Sequence, residues 1–248
     1  MGQHICTPLQ GVAVHINAFN FPVWGMLEKL APTLLGGMPA IVKPATASGY
    51  VAEAALRIML ESGILPDGAV QLVSGDLGDL LDRLDGQDVV SFTGSAATAL
   101  ALRSKPTLLS GSVRFVAEQD SLNATILGPD AVPGTPEFDL FLKEAHREIT
   151  AKAGQKCTAI RRIIVPEPQV HAVIEGLSER LAKTRIGAPE RETTRMGALI
   201  SLAQRQDVLK QAGIIGAEAE RVYGDPDAFD VDGADPVAGA FLPPMLYH

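Results

Sequence analysis

Aromatic residues make up only 5% of this 248-residue chain, and there are 2 cysteines. Basic residues are also scarce, 21 Lys and Arg against 29 Asp and Glu, for a net charge of −8. Each shortage excludes something. Cys6 and Cys157, far apart in sequence, cannot form a disulfide framework, so a reducing compartment is expected. An acidic excess argues against a nucleic-acid surface, because phosphate binding needs clustered Lys and Arg. No apolar run approaches the roughly 18 to 20 residues of a membrane span. Glu28 and Lys29 cut the longest run, and Pro32, Gly36, Gly37 and Pro39 punctuate the next stretch of chain. The opening Met1-Gly2-Gln3-His4 lacks the parts of a secretory signal, which makes the cytoplasm the expected location. The chain does have a 46% hydrophobic share, enough for one large core or two modest ones, with small molecules as the expected partners and no metal site.

Short β-rich stretches alternate with longer amphipathic ones over the first half, the pattern of a Rossmann-like parallel sheet with crossover helices. Strands are predicted at Gly11–Ile16, Pro39–Lys43, Ala69–Val73 and Val89–Phe92, and helices at about Pro22–Leu35 and Ser48–Ser62. After a Gly/Pro/Asp stretch at 128–134, Thr135-Pro136 reads as the cap and first position of a helix whose apolar face is Phe138, Phe141, Leu142, Ala145 and Ile149. A strand at Arg161–Val165 and helices near Val170–Leu181 and Leu202–Ala212 make the second half α/β as well. His146 and His171 fall on these amphipathic helices and are expected at the surface. The acidic stretch 225–236 lacks calcium-loop spacing and reads as a solvated loop.

Several residues could carry chemistry, and each also has a plainer reading. Cys157 follows a long helix in Gly154-Gln155-Lys156-Cys157-Thr158-Ala159, with Lys156, Arg161 and Arg162 nearby; cationic neighbours favour a nucleophilic thiolate, yet a lone cysteine is more often a small core residue. Phe92-Thr93-Gly94-Ser95 ends a strand and opens a helix, where amides can receive a phosphate, or can simply form a turn. Lys43 closes another strand. Asn20, at a strand-to-helix junction, could donate to an oxyanion or cap the helix. Glu118 ends the apolar run from Val113 and could be a desolvated base or a paired structural acid.

In this order the segments resemble the aldehyde dehydrogenase superfamily. The matching words are Asn20-Phe21-Pro22, Lys43-Pro44-Ala45, Phe92-Thr93-Gly94-Ser95, Glu118, Gly154–Ala159, Met196-Gly197-Ala198-Leu199-Ile200 and Gly239–Pro244. His15–Lys29 and Asp120-Ser121-Leu122-Asn123 look closer still to the branch that oxidises CoA-linked semialdehydes in aerobic aromatic degradation. Within it the wording is nearest the phenylacetate type, acting on 3-oxo-5,6-dehydrosuberyl-CoA semialdehyde. The dehydroadipyl-CoA type of benzoyl-CoA breakdown is the alternative. The resemblance implies a truncated Rossmann-like cofactor domain over 1–118 and a truncated α/β catalytic domain over 119–248. It implies Cys157 as nucleophile, Asn20 and the Cys157 amide as oxyanion donors, and Glu118 as the base that activates water. Lys43, Ala45, Thr46, Phe92, Thr93, Gly94 and Ser95 would bind the cofactor.

Departures from the family pattern matter. Thr46 stands where many NAD-using members carry a ribose-binding glutamate, so NADP is preferred, with NAD as the other choice. Ala99 replaces a usual glycine, and Gln119-Asp120 replaces a Gly-Gly pair. Family members are longer at both ends, so the chain is expected to be a fragment lacking the oligomerisation hairpin, the Glu-x-Phe-Gly-Pro segment and any hydratase domain; the full-length protein would be a homo-oligomer. The competing readings are a non-catalytic module and, more distantly, a thiolase-like acyltransferase.

Overall fold

The computed structural model describes residues 2–248 in two compact units, one running to Asp120 and one beginning at Ser121. The first unit contains strands β1 (Ala13–Ile16), β2 (Ala40–Lys43), β3 (Val70–Leu72), β4 (Val89–Thr93) and β5 (Arg114–Glu118). Its helices are α1 (Trp24–Leu35), α2 (Gly49–Glu61), α3 (Ala96–Arg103) and α4 (Pro106–Ser110). The strands form one parallel sheet in the order β3-β2-β1-β4-β5. Parallel sheets need apolar cover on both faces, and the sequence supplies it. Ala40, Val42 and Val70 pack with Met26 and Leu30 of α1 and Ala52 and Leu56 of α2. Val14, Ile16, Val90 and Phe92 pack with Leu81, Leu84, Ala99 and Leu108.

Side chains alternate along β1, so His15 leaves the Val14 and Ile16 face and meets α1, where its Nε2 lies 3.1 Å from Thr33 Oγ1. Burial, with the nearby Lys29 charge adding, pushes the His15 pKa down to about 4. Helix α1 starts later than the sequence suggests. Its N-cap is Val23, which leaves Pro22 outside the helix, although Gly25 N–H already reaches Phe21 O at 2.8 Å. Asn20 therefore does not occupy the capping position.

The second unit contains β6 (Asn123–Ile126), α5 (Pro136–Thr150), β7 (Ile160–Ile164), α6 (Val170–Ala182), α7 (Leu202–Ile215), β8 (Arg221–Tyr223) and β9 (Leu246–Tyr247). Strands β6 and β7 are parallel, and β8 and β9 antiparallel. Thr135 caps α5, its Oγ1 accepting from Phe138 N–H at 3.3 Å, and Pro136 takes the first position, where its missing N–H costs nothing. Phe138, Leu142 and Ala145 of α5 pack on Val173 and Leu177 of α6. The two helices meet at Gly176, where a Cβ would fall 2.6 Å from Leu142 Cδ1. His146 is not the surface residue its helical pattern suggests: it is half-buried, 2.8 Å from Thr184 Oγ1, and burial followed by the Arg180 charge lowers its pKa. His171 is exposed.

Candidate functional site

In the first unit the sequence-selected residues gather at the carboxyl ends of the strands. The strand order reverses between β1 and β4, the place where open α/β sheets take ligands. Lys43 closes β2, half-buried and in register with Ile16. Ala45 and Thr46 come next, in a tight turn in which Ser48 N–H donates to Ala45 O at 3.1 Å and Thr46 is exposed. Across β1, Phe92 is buried and Thr93 closes β4 opposite Glu118 of β5. Gly94 N–H donates to Glu118 O at 3.1 Å, and Ser95 caps α3 by accepting from Thr98 N–H at 3.2 Å. Glu118 is exposed and borders a recess of about 230 Å³ with Glu28, Lys29, Ser91, Phe92, Thr93 and Val116.

These strand ends are polar and incompletely satisfied. Among the described residues, Thr93 Oγ1 is buried without a hydrogen-bond partner, and so are both side-chain polar atoms of Asn17, one residue past β1. Asn17 N–H donates to Lys43 O at 3.0 Å, which sets that residue between the two loops. The groups gathered here fit the polar parts of a dinucleotide: a lysine, hydroxyls and a helix N-terminus able to take an anion, while Gly94 leaves room for the Phe92 ring, whose Cζ would lie 2.6 Å from a Cβ there. The anion-binding capacity of that N-terminus is already in use, since Ala96 N–H donates to Asp120 Oδ2 at 2.9 Å. Sequence reasoning assigns no role to Asn17 or Asp120.

In the second unit Cys157 is exposed on a heavily tied loop. The chain leaves α5 through Lys152 (φ 54°), Ala153 (φ 52°) and Gly154 (φ 71°), three consecutive left-handed residues. For Lys152 and Ala153 that conformation costs about 1 to 2 kcal/mol each, so other contacts must hold it. Gln155 supplies two of them: its Nε2 donates to Lys152 O at 3.0 Å and its Oε1 accepts from Ile200 N–H at 2.9 Å. Arg161 donates to Gly154 O at 2.6 Å. Ile200 belongs to Met196–Ile200, and its neighbour Leu199 donates to Ala240 O at 2.9 Å, inside Gly239–Pro244. The two motifs that had only their wording to recommend them thus brace the cysteine loop.

The cationic neighbours of Cys157 are committed elsewhere. Lys156 pairs with Glu148 at 2.7 Å, and Arg162 donates to Leu122 O at 2.5 Å. Asn20 and Glu118 belong to the first unit and Cys157 to the second. Among the described residues no group of three or more His, Cys, Asp or Glu could hold a metal, and no helix is long and apolar enough to cross a membrane.

A parallel sheet with polar strand ends at an order reversal, in a chain whose other unit is α/β and exposes one thiol on a braced loop, defines the class: a two-unit α/β protein of the dinucleotide-fold type. The chain belongs to the aldehyde dehydrogenase family, whose sequence profile matches residues 3–248. It is 50% identical over 248 residues to the 3,4-dehydroadipyl-CoA semialdehyde dehydrogenase of Aromatoleum evansii, covering 100% of this chain and 48% of that protein. It is 33% identical over 222 residues to the 3-sulfolactaldehyde dehydrogenase of Priestia aryabhattai, covering 85% of this chain and 43% of that protein. The fold matches succinic semialdehyde dehydrogenase from Streptococcus pyogenes, solved with NADP+, with a TM-score of 0.84 at 24% identity over 97% of this chain and 50% of that one. The chain thus spans about half the length of the relatives it matches.

Proposed function

We propose that this chain carries the cofactor-binding and nucleophile-bearing parts of a cytoplasmic, homo-oligomeric dehydrogenase that oxidises a CoA-linked semialdehyde of aromatic degradation to its acid. The observation that carries the reading is an exposed Cys157 on a braced loop, in a chain half identical to a CoA-semialdehyde dehydrogenase. That relative favours a 3,4-dehydroadipyl-CoA type of substrate; the phenylacetate-type semialdehyde is the second reading and rests on motif wording alone. The unit ending at Asp120 is the cofactor part and the unit from Ser121 the catalytic part.

Each residue has a defined task. The Cys157 thiolate adds to the aldehyde carbon, and the carbonyl electrons move to oxygen, where the Asn20 amide and the Cys157 N–H donate to the new oxyanion. A bound nicotinamide dinucleotide would supply the hydride acceptor; loss of the C–H hydride from the thiohemiacetal carbon then leaves Cys157 carrying a thioester. Glu118 then takes a proton from water as the oxygen attacks the thioester carbon, the C–S bond breaks and the thiolate is restored. Lys43, Ala45 and Thr46 would hold the ribose region of the dinucleotide, and Phe92, Thr93, Gly94 and Ser95 its pyrophosphate. Threonine at position 46 offers no carboxylate to repel a 2′-phosphate, which supports NADP over NAD.

The test is single-turnover hydride release with a CoA-linked semialdehyde in the full chain. Cys157→Ala abolishes the burst; Glu118→Gln keeps the burst and slows later turnovers by about 100-fold or more. A burst surviving in Cys157→Ala would defeat the reading, and a Kd for NADP no lower than that for NAD would remove the cofactor preference.

A further inference from the structure

Resting on that function, we infer that Asn123, assisted by Ser121, is the positioning residue of the nucleophile. Two side-chain donors converge on the Cys157 carbonyl: Asn123 Nδ2 at 2.5 Å and the Ser121 hydroxyl. The same Asn123 amide reaches Ala159 O at 3.4 Å, so one side chain ties both ends of the turn after the cysteine. Asn123 opens β6, and the β6–β7 register slips between Asn123 and Ala124. That irregularity lets the asparagine serve the cysteine loop while Ala124 onward pairs regularly with β7.

The geometry fixes Cys157 from both sides. Its carbonyl is held by Asn123 and Ser121, which sets ψ. The preceding peptide, which carries the Cys157 N–H, is held through its carbonyl: Ala159 N–H donates to Lys156 O at 3.2 Å. With both peptides anchored, the Cys157 Cβ and the oxyanion-donating N–H keep one mutual direction, which confines the thiol to the staggered positions about Cα–Cβ. A second observation points the same way. The run Lys152–Gly154 persists in the left-handed region, and such strain survives only where neighbouring contacts over-determine the backbone. Gln155 and Arg161 hold that run at one end of the loop, and Asn123 holds the cysteine end. Its place in the sequence also has a consequence: five residues after Glu118, it puts the base and the clamp of the nucleophile on one short segment.

The experiment compares Asn123→Ala and Asn123→Asp with the unaltered full chain. The aspartate keeps the shape but has no amide hydrogen to donate, and its charge opposes the Cys157 carbonyl. Three quantities are read: the rate of the first hydride burst, the rate of Cys157 alkylation by iodoacetamide, and the Kd for NADP. Misplacing a reacting group by about 1 Å costs on the order of 100-fold, so both variants should lose about 10- to 100-fold in burst rate. The alkylation rate should shift as well, while the NADP Kd stays within about twofold, because the clamp touches no proposed cofactor residue. A merely structural role would move the melting temperature and leave the burst of the folded fraction intact, and that result overturns the assignment. If Asn123→Ala folds poorly, Asn123→Asp is judged by the same burst. Cys157→Ala run in parallel separates the two claims. Oxidation that survives in it defeats the proposed function. An inert Cys157→Ala beside a fully active Asn123→Ala defeats only the clamp.

Discussion

The strand ends of the first unit and the cysteine loop of the second solve opposite problems. At the strand ends the fold buries polar atoms and leaves them unpaired: both side-chain atoms of Asn17, Thr93 Oγ1 and, in the turn after β2, Ser48 Oγ. Along the cysteine loop the carbonyls of Lys152, Gly154, Lys156 and Cys157 all accept hydrogen bonds, that of Cys157 from the distant side chains of Asn123 and Ser121. An unpaired buried polar group costs roughly 1 to 3 kcal/mol, so the first region gives up stability, whereas the second uses its bonds to hold a strained backbone in place. The difference matches the tasks proposed for them. A surface that meets a mobile, polar ligand gains from unspent donors and acceptors, whereas a nucleophile gains from a backbone with a single conformation.

The largest expected effect probes the polar interior of the first unit through pH. His15 is held neutral by burial, with a folded pKa of about 4 against the ordinary 6.5. Between those values the unfolded chain binds a proton that the folded chain refuses. Stability is therefore complete above pH 6.5 and falls as pH drops towards 4, by up to about 3 kcal/mol. Urea midpoints across this range should show the slope, and His15→Gln should flatten it; an identical slope in both proteins would show that another group titrates. Next is the loop. Arg161→Met keeps the aliphatic stem but removes the donor to Gly154 O and one restraint on the left-handed run. It should cost about 1 to 2 kcal/mol and accelerate proteolysis within 150–157. Equal midpoints for the two proteins would mean that the loop is held without Arg161, and the contrast between the regions would narrow.

The fold of the first unit is largely legible in the sequence because its strands are apolar runs bounded by Gly and Pro and its helices carry one apolar stripe. Strand β6 is not: Asn123–Ile126 is four residues long and half of it is polar. Helix α4 is only five residues, and β8 and β9 are shorter still. Candidates for the chemistry can be picked out by their motifs, but the residues that support them cannot. Asn123 meets a carbonyl 34 positions away and Gln155 an amide 45 positions away, separations at which periodicity carries no signal. The burial of His146 is hidden for the same reason, since its partner Thr184 lies 38 positions on. Alternating polar residues ahead of an apolar run, as in Asp120-Ser121-Leu122-Asn123, are the one local hint of the clamp.

The smallest effect has the most diagnostic sign. Asn17→Leu exchanges a buried amide without partners for a hydrocarbon of similar volume. If the polar atoms at the strand ends are a cost to the fold, removing them should stabilise the protein, by about 1 kcal/mol or less, with the midpoint moving upward and the m-value unchanged. The matching substitution in the loop, Asn123→Leu, removes a satisfied donor and should move the midpoint downward. Opposite signs for two asparagine-to-leucine changes would establish the contrast as energetic rather than merely geometric. A destabilising Asn17→Leu would mean that its amide is already satisfied in solution, and the strand ends would then be as fully bonded as the loop they are compared with.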